Sequence, residues 1–387
     1  MIKNESASMP KVFIFTASTG AGHNLAARSM AEVLGEAGMD AVIYDAFKES
    51  SAVLDKIMTA GYKQLVEYVP KLYEQIYHQF NHMTPFQQYI FKLMARKMNP
   101  DLVPLIQNEK PQLIISTHPI VTNMLGTLKE HGAFDVPVLS FVTDYKIHGA
   151  YLHEAIDAYV VGSEYTKDTM IEKGVNPDIV YPFGIPVRPE FIEETQKSEA
   201  VTGDPSVRGT ILLMAGSLGT KQMEKAFAAL MKANEKIRII VVCGNNPKVE
   251  RSIEFLNRVL SSEDKIVEIH GFVDNIPELM DQSDAIISKP GGLTTTEAIS
   301  KNIPMIIPYC YPGQEEENAD YLVESGMAIR IDKIKDLTSM IDFLVENKYV
   351  IQEMSANMSE EARQHSMEKT VALCQDMIAA YQKLQTE

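Results

Sequence analysis

The chain has 387 residues, the length of two domains at roughly 100–200 residues each, and its 45% apolar and 23% charged composition excludes wholesale disorder. Its 36 Lys and Arg against 52 Asp and Glu leave a formal charge of −16, which repels phosphate backbones and excludes a general nucleic-acid binder. The charge is uneven: residues 51–100 carry a net +3 and residues 151–200 a net −6.

The opening residues MIKNESASMPK have no apolar core, so residues 1–10 read as a disordered tail and not as a signal peptide. No run approaches the roughly 18 apolar residues needed to cross a bilayer. Cys243, Cys310 and Cys374 are too scattered for a disulfide framework or a metal set, which fits a reducing cytoplasm. A soluble or peripheral cytoplasmic protein is expected.

Lys11–Ala17 (KVFIFTA) predicts a buried strand, and Leu25–Glu36 an amphipathic helix with Ala27, Met30, Ala31 and Leu34 in one stripe. Ala41–Tyr44 is a second short strand. Residues 51–100 look mainly helical, with breaks at Pro70 and Pro85. Strands at Gln112–Ser116, Val138–Val142 and Ala158–Gly162 then alternate with helices. Such continuous apolar strands in βα order imply a parallel sheet covered on both faces.

Residues 193–209 are polar and turn-rich and predict a linker. The pattern then restarts with strands at Thr210–Ala215, Ile237–Gly244, Ile266–His270, Ala285–Ser288 and Pro304–Pro308. The fold class is therefore α/β, with a first domain over 11–192 and a second over 210–365. The last helix, about 366–387, has no new sheet to join and is expected to cross back to the first domain.

Small residues follow the first strand in Ser18-Thr19-Gly20-Ala21-Gly22-His23. Such a turn lets backbone N–H groups approach an oxygen-rich ligand at a helix N-terminus. It lacks the lysine of a P-loop, and Leu25 stands where the third glycine of a dinucleotide fingerprint belongs. A plain tight turn is the competing reading. His23 is the unusual element: an imidazole at the mouth of the sheet, usable as a general base, which a helix N-terminus would keep neutral. Ala215-Gly216-Ser217-Leu218-Gly219-Thr220 repeats the device in the second half.

The most specific turn is Ser288-Lys289-Pro290-Gly291-Gly292-Leu293-Thr294-Thr295-Thr296-Glu297. Its glycines permit close approach, its helix start offers N–H groups to a phosphate, and Glu297 lies one turn on, where a carboxylate can grip vicinal ribose hydroxyls. The bland alternative makes Thr294 and Glu297 a capping box. In Pro312-Gly313-Gln314-Glu315-Glu316-Glu317-Asn318, Gln314 and Glu315 suit sugar hydroxyls, against the alternative of an acidic helix start favoured by its dipole.

Together with GIPVRPEF at 184–191 and GFVDNIPELM at 271–280, these motifs resemble the GT-B glycosyltransferases of the monogalactosyldiacylglycerol synthase and processive diacylglycerol glucosyltransferase family. More distantly they resemble the lipid-linked N-acetylglucosaminyltransferase of peptidoglycan synthesis. The resemblance spans about residues 10–380. It implies two doubly wound Rossmann-like domains facing across a cleft, and inverting transfer of a hexose from a UDP-hexose. It further implies that no metal or other cofactor is needed; the sequence contains no Asp-x-Asp motif. By the same resemblance Glu297 would hold the ribose, and Phe272 and Val273 would flank the uracil. Arg188 and Ser217 would face the diphosphate, with N–H donors from Gly291, Gly292, Leu293 and Thr294 and with Gly22 on the first turn. Gln314 and Glu315 would hold the donor sugar. His23 would deprotonate the acceptor, with Asp144 orienting a histidine or itself acting as base.

His118, Tyr145 and His148 fall on the family's acceptor side. Relatives often carry Trp where this chain has Tyr151. A zinc site from these histidines is a weak alternative, since His148 and His153 are five residues apart, and hydrogen-bonded structural histidines are the stronger one. In residues 51–100, eight aromatics are interleaved with six basic residues, including Tyr89, Lys92, Arg96 and Lys97. That mixture suits an anionic membrane surface, against the alternative of a core face plus a solvated face.

The leading expectation is transfer of glucose from UDP-glucose to 1,2-diacylglycerol, or to a glycosyldiacylglycerol in repeated rounds, at the inner face of the cell membrane. Glucose rests on the likeness to bacterial members and on an N-terminus without a transit peptide. The alternatives are another lipid or soluble acceptor, an enzyme like the UDP-N-acetylglucosamine 2-epimerases, and a nucleotide-sugar sensor.

Overall fold

A computed structural model describes residues 9–18, 21–50, 85–193, 204–214 and 219–386. The expected tail, most of the expected linker, and the helices expected over 51–84 lie outside these residues. By its internal contacts the chain divides into one unit of Met1–Arg188 with Gln364–Glu387 and another of Pro189–Arg363.

The first unit holds a six-stranded parallel sheet. Its strands are β1 (Lys11–Thr16), β2 (Asp40–Asp45), β3 (Leu113–Ser116), β4 (Val138–Phe141), β5 (Ala158–Val160) and β6 (Val180–Tyr181), in the order β2-β1-β3-β4-β5-β6. The alternation along β1 decides which helices cover it. Val12 and Ile14 point to a core shared with Ala27, Met30 and Leu34 of α1 (Ala21–Glu36). Phe13 and Phe15 point to the opposite core, where Val121 and Leu125 of the helix α4 (Pro119–Glu130) are buried. Every one of these side chains is fully removed from water, and burial of this kind stabilises by about 1.5–3 kcal/mol per large apolar residue.

Between them lie α2 (Ala46–Ser50) and α3 (Pro85–Glu109). Pro85 stands at the start of α3, where a missing N–H costs nothing. The helix runs past the expected end near residue 100, because Leu102, Val103 and Ile106 supply a further apolar face to the core.

The second unit repeats the plan with β7 (Gly209–Met214), β8 (Ile237–Val242), β9 (Lys265–His270), β10 (Ala285–Ile287), β11 (Met305–Ile307) and β12 (Ala328–Arg330). Their order is β12-β11-β10-β7-β8-β9, again all parallel. Ile211 and Leu213 of β7 share a core with Met223, Phe227 and Leu230 of the following helix, Thr220–Leu230. In both sheets the strand order reverses once, between β1 and β3 and between β7 and β10. Ligands of doubly wound sheets bind at the carboxyl ends of the strands at such a reversal. Among the described residues, no helix is long and apolar enough to cross a membrane.

The C-terminal helix, Met367–Thr386, belongs to the first unit, where Cys374 and Ile378 join the α1 core. The residues before it fasten it in place. The imidazole Nε2–H of His365 donates to the Gly162 carbonyl at 3.0 Å, and the Ser366 N–H donates to the Phe183 carbonyl at 2.8 Å. Gly184 makes room for this: its φ is +92°, and a Cβ there would stand 2.6 Å from His365 Cγ.

Gly184→Ala should therefore cost about 1–3 kcal/mol and lower the unfolding midpoint; an unchanged midpoint would refute the close packing. Burial pushes the His365 pKa from 6.5 down to about 4, against the opposing bond to Gly162. Its folded pKa is depressed, so its contribution is whole above pH 6.5 and is lost as the pH falls toward 4. His365→Gln should flatten that part of the stability–pH curve, measured by denaturant unfolding.

Candidate active site

At the reversal in the first sheet, the end of β1 meets the ends of β3 and β4. His23 lies in the first turn of α1, half-buried, where the small residues before it let the helix begin close to the sheet. Its Nδ1 is 2.8 Å from the Thr117 main-chain oxygen and 2.9 Å from Thr143 Oγ1. A carbonyl oxygen can only accept, so Nδ1 carries the proton and Nε2 keeps its lone pair. The Thr117 hydroxyl donates in return to the His23 carbonyl at 3.1 Å. Burial is the main cause that lowers the His23 pKa from 6.5 to about 4, with the Thr117 bond opposing it. The helix N-terminus expected to keep the ring neutral is thus not the leading cause.

His118 is 4% exposed and sits edge-to-face on His23, ring centres 4.6 Å apart, with Phe47 behind it at 5.9 Å. Burial first, then the neighbouring His23, hold its pKa well below 6.5. It is placed to back the His23 ring and offers little surface to an acceptor. Asp144 is buried and accepts a hydrogen bond from the buried Tyr151 hydroxyl. Tyr145, expected on the acceptor side, is fully buried: its carbonyl accepts from Thr166, and its ring packs at Gly162. His148 caps the short helix Gly149–Tyr151 by accepting from the Ala150 N–H at 3.3 Å. His153 likewise accepts from the Ala155 N–H at 3.2 Å. Among the described residues, no three His, Cys, Asp or Glu side chains gather as a metal site.

On α3, Tyr89 is 60% exposed, Leu93 is 43% exposed, and Lys92 is also outward. Arg96 and Lys97 lie on the same helix, with side chains outside the described set. Gly22 is in the first turn of α1, and Arg188 ends the longer run of the first unit.

In the second unit, the loop after β10 leads into a helix over Gly292–Ser300 whose N-cap is Gly291. The capping box that stood as the alternative reading of Thr294 and Glu297 does not form, because Thr294 already lies inside that helix. The first N–H groups, of Gly292, Leu293 and Thr294, have no partner within their own helix and face outward from its start. Glu297 follows one turn later, half-buried. Beside it a helix over Gln314–Glu324 begins after Gly313, whose φ of +89° suits glycine alone. Asn318 ties the two starts together by donating to the Pro290 carbonyl at 3.0 Å.

Glu315, expected on the donor sugar, pairs with Lys289 and also accepts from the Tyr311 N–H at 3.0 Å. Lys289 lies 5.8 Å from the Tyr311 ring centre. Lys289 lies within the glycine-rich motif, but local spacing gives no hint of its pairing with a carboxylate 26 positions on. Gln314 opens the same helix. Phe272, 62% exposed, and Val273 follow β9, roughly 14 Å across the sheet from β10 at ordinary strand spacing. Ser217 lies outside the described residues.

Two family matches cover the chain in turn, the second running on into the C-terminal helix of the first unit. Residues 23–187 match the monogalactosyldiacylglycerol synthase family, and residues 210–371 match the glycosyltransferase family 28 C-terminal domain. A processive diacylglycerol beta-glucosyltransferase of Bacillus pumilus is 28% identical over 359 residues, 92% of each chain. One of Bacillus subtilis is 26% identical over 354 residues, 90% of this chain and 91% of its own. Among solved structures, MurG of Acinetobacter baumannii aligns with a TM-score of 0.66 at 16% identity, covering 95% of this chain and 99% of that one. The MnaA–UDP complex of S. aureus aligns with a TM-score of 0.59 at 15% identity, covering 98% of each.

His23 should be neutral at pH 7, with a titration midpoint near 4 when followed by imidazole 15N NMR and assigned by its loss in His23→Gln. A midpoint at the ordinary 6.5 would contradict the burial described.

Proposed function

The chain belongs to the GT-B glycosyltransferases of the monogalactosyldiacylglycerol synthase and diacylglycerol glucosyltransferase family, and on that footing we propose that it transfers glucose from UDP-glucose to 1,2-diacylglycerol at a membrane surface. The observation that carries this reading is the neutral His23, whose Nδ1 is fixed by a carbonyl and whose Nε2 keeps its lone pair. In this reaction Nε2 takes the acceptor hydroxyl proton as the oxygen attacks the anomeric carbon, and the bond to UDP breaks with its electron pair leaving on UDP. A positioned base of this kind contributes about 10²–10⁴-fold to the rate.

The leaving diphosphate gains negative charge, which the N–H groups at Gly292–Thr294, with Arg188 and Ser217, stabilise without a metal. Glu297 takes the ribose hydroxyls, Phe272 and Val273 lie along the uracil, and Gln314 meets the sugar. Glu315 shares that role while paired with Lys289. The names of the relatives, beta-glucosyltransferases, favour glucose and inversion, since the sugar of UDP-glucose is α-linked. Taking the glycosylated product back as acceptor would add further sugars. Exposed Tyr89, Lys92 and Leu93 on one helix suit an anionic leaflet, which would put the enzyme on the inner face of the cell membrane.

Incubation with a panel of UDP-sugars and diacylglycerol liposomes, followed by mass analysis of the lipids, should yield a hexosyldiacylglycerol with UDP-glucose. No glycolipid from any donor would sink the reading. His23→Ala should lower turnover at least about a hundredfold with UDP affinity kept, and Glu297→Ala should weaken UDP binding. Comparable turnover in His23→Ala would move the base elsewhere.

In liposome flotation, replacing Lys92, Arg96 and Lys97 together should release the protein from anionic vesicles, while replacing Lys232 and Lys236 should not. Equal loss in both would count against a basic docking helix.

A further inference from the structure

Around His23, the hydroxyl groups form a line that ends on a carboxylate. His23 Nδ1 lies 2.9 Å from Thr143 Oγ1, and Thr143 Oγ1 lies 2.9 Å from the Tyr151 hydroxyl. The Thr143 main-chain N–H also donates to that hydroxyl, at 3.3 Å. Tyr151 in turn hydrogen-bonds the Asp144 carboxylate. Thr143, Asp144 and Tyr151 are all at least nine-tenths buried.

The direction of the line follows from what each group can do. An ionised carboxylate only accepts, so Tyr151 spends its one proton on Asp144. Its oxygen must then accept from Thr143, whose own proton goes to Tyr151. Thr143 Oγ1 is left as an acceptor facing His23 Nδ1, which is already protonated because it donates to the Thr117 carbonyl. Every donor in the line points away from His23 and toward the negative charge.

We infer that Thr143 and Tyr151 are positioning residues that carry the Asp144 charge to His23 through two hydroxyls, stabilising the imidazolium formed when Nε2 takes the acceptor proton. This inference rests on the base role proposed above for His23. Asp144 stays ionised, and no proton leaves Nδ1: the acceptor proton goes to Nε2, the acceptor oxygen bonds the anomeric carbon, and UDP departs with the electron pair. The line acts by polarisation, as the aspartate of a Ser-His-Asp triad does through direct contact. It also gives Asp144 a task other than that of base, which suits a buried carboxylate already holding a hydrogen bond.

Among the described residues, the ionisable groups around His23 can be named. His118 lies against it from the end of β3, Asp144 and Tyr151 reach it from beyond β4, and Asp45 at the end of β2 bonds Ser18 in the turn before α1. His118 is held neutral by its burial. Asp144 is thus the anion that the hydrogen-bond line ties to the ring.

The test compares kcat, KM for UDP-glucose and the pH profile in full-length Tyr151→Phe, Thr143→Val, Thr143→Ser and His23→Gln. Removing a hydroxyl from the line should lower kcat about tenfold or more, within the 10²–10⁴-fold of a positioned base, with KM for UDP-glucose little changed. A base deprived of its distant anion has a lower pKa, so the acid limb of kcat should move to lower pH. Thr143→Ser keeps the hydroxyl and should retain wild-type turnover. A purely structural role would change unfolding temperature and KM in both Thr143 variants and leave the acid limb in place, overturning the proposal. Wild-type kcat and acid limb in Thr143→Val and Tyr151→Phe, with His23→Gln inactive, would also overturn it while sparing the base role. An active His23→Gln would instead remove the base role, and this proposal with it.

Discussion

The Thr117 carbonyl oxygen can only accept a hydrogen bond, and that single restriction orders the site around it. It puts a proton on His23 Nδ1 and keeps the Nε2 lone pair available. The carbonyl comes from the residue directly after β3, and His23 comes from the first turn after β1. These two strands are neighbours only because the sheet reverses its order there. The topology therefore does more than provide a scaffold: it brings a carbonyl 94 positions away in the chain to the histidine it orients. Burial then removes the charged form of the ring from the working pH range.

The second unit solves a different problem with the same architecture. On the function proposed, a departing diphosphate needs donors that are fixed in advance, and two adjacent helix starts at the carboxyl edge of the sheet would supply them. Gly291 and Gly313 shape those starts, and Asn318 holds them together. Pairing Lys289 with Glu315 keeps a cation beside the two helix starts without leaving it unbalanced in a part-buried position. The excess of acid in the chain as a whole is compatible with this, because the local fields come from N–H groups and single side chains and not from net charge.

Much of this was legible in the sequence, and the parts that were not have identifiable reasons. The long apolar runs at 11–16, 209–214 and 237–242 announced buried parallel strands to within a residue or two at each end. The two-residue β6 and the three-residue β12 left no periodic signal. The helix after β1 starts at Ala21, four residues before the expected start at Leu25, because the small residues there form a turn of helix without contributing hydrophobic pattern. His23 and Glu297 stood out because each followed a glycine-rich strand–helix turn. Thr117 and Thr143 did not, and Tyr151 did so only as a replacement for Trp, since their importance lies in contacts with a residue about 94 to 128 positions away, reached partly through one another. Tyr145 looked like an acceptor contact for the same reason: nothing in the local sequence distinguishes a ring turned into the core from one turned out.

On the function proposed, one neutral imidazole drives a direct displacement at the sugar, with no covalent glycosyl intermediate. The anomeric configuration of the product reads this most directly. Proton NMR of the glycolipid made from UDP-glucose should show a β linkage, the outcome of a single inversion at the anomeric carbon. An α linkage would mean retention, and would contradict a mechanism built on His23 as the base for the incoming hydroxyl.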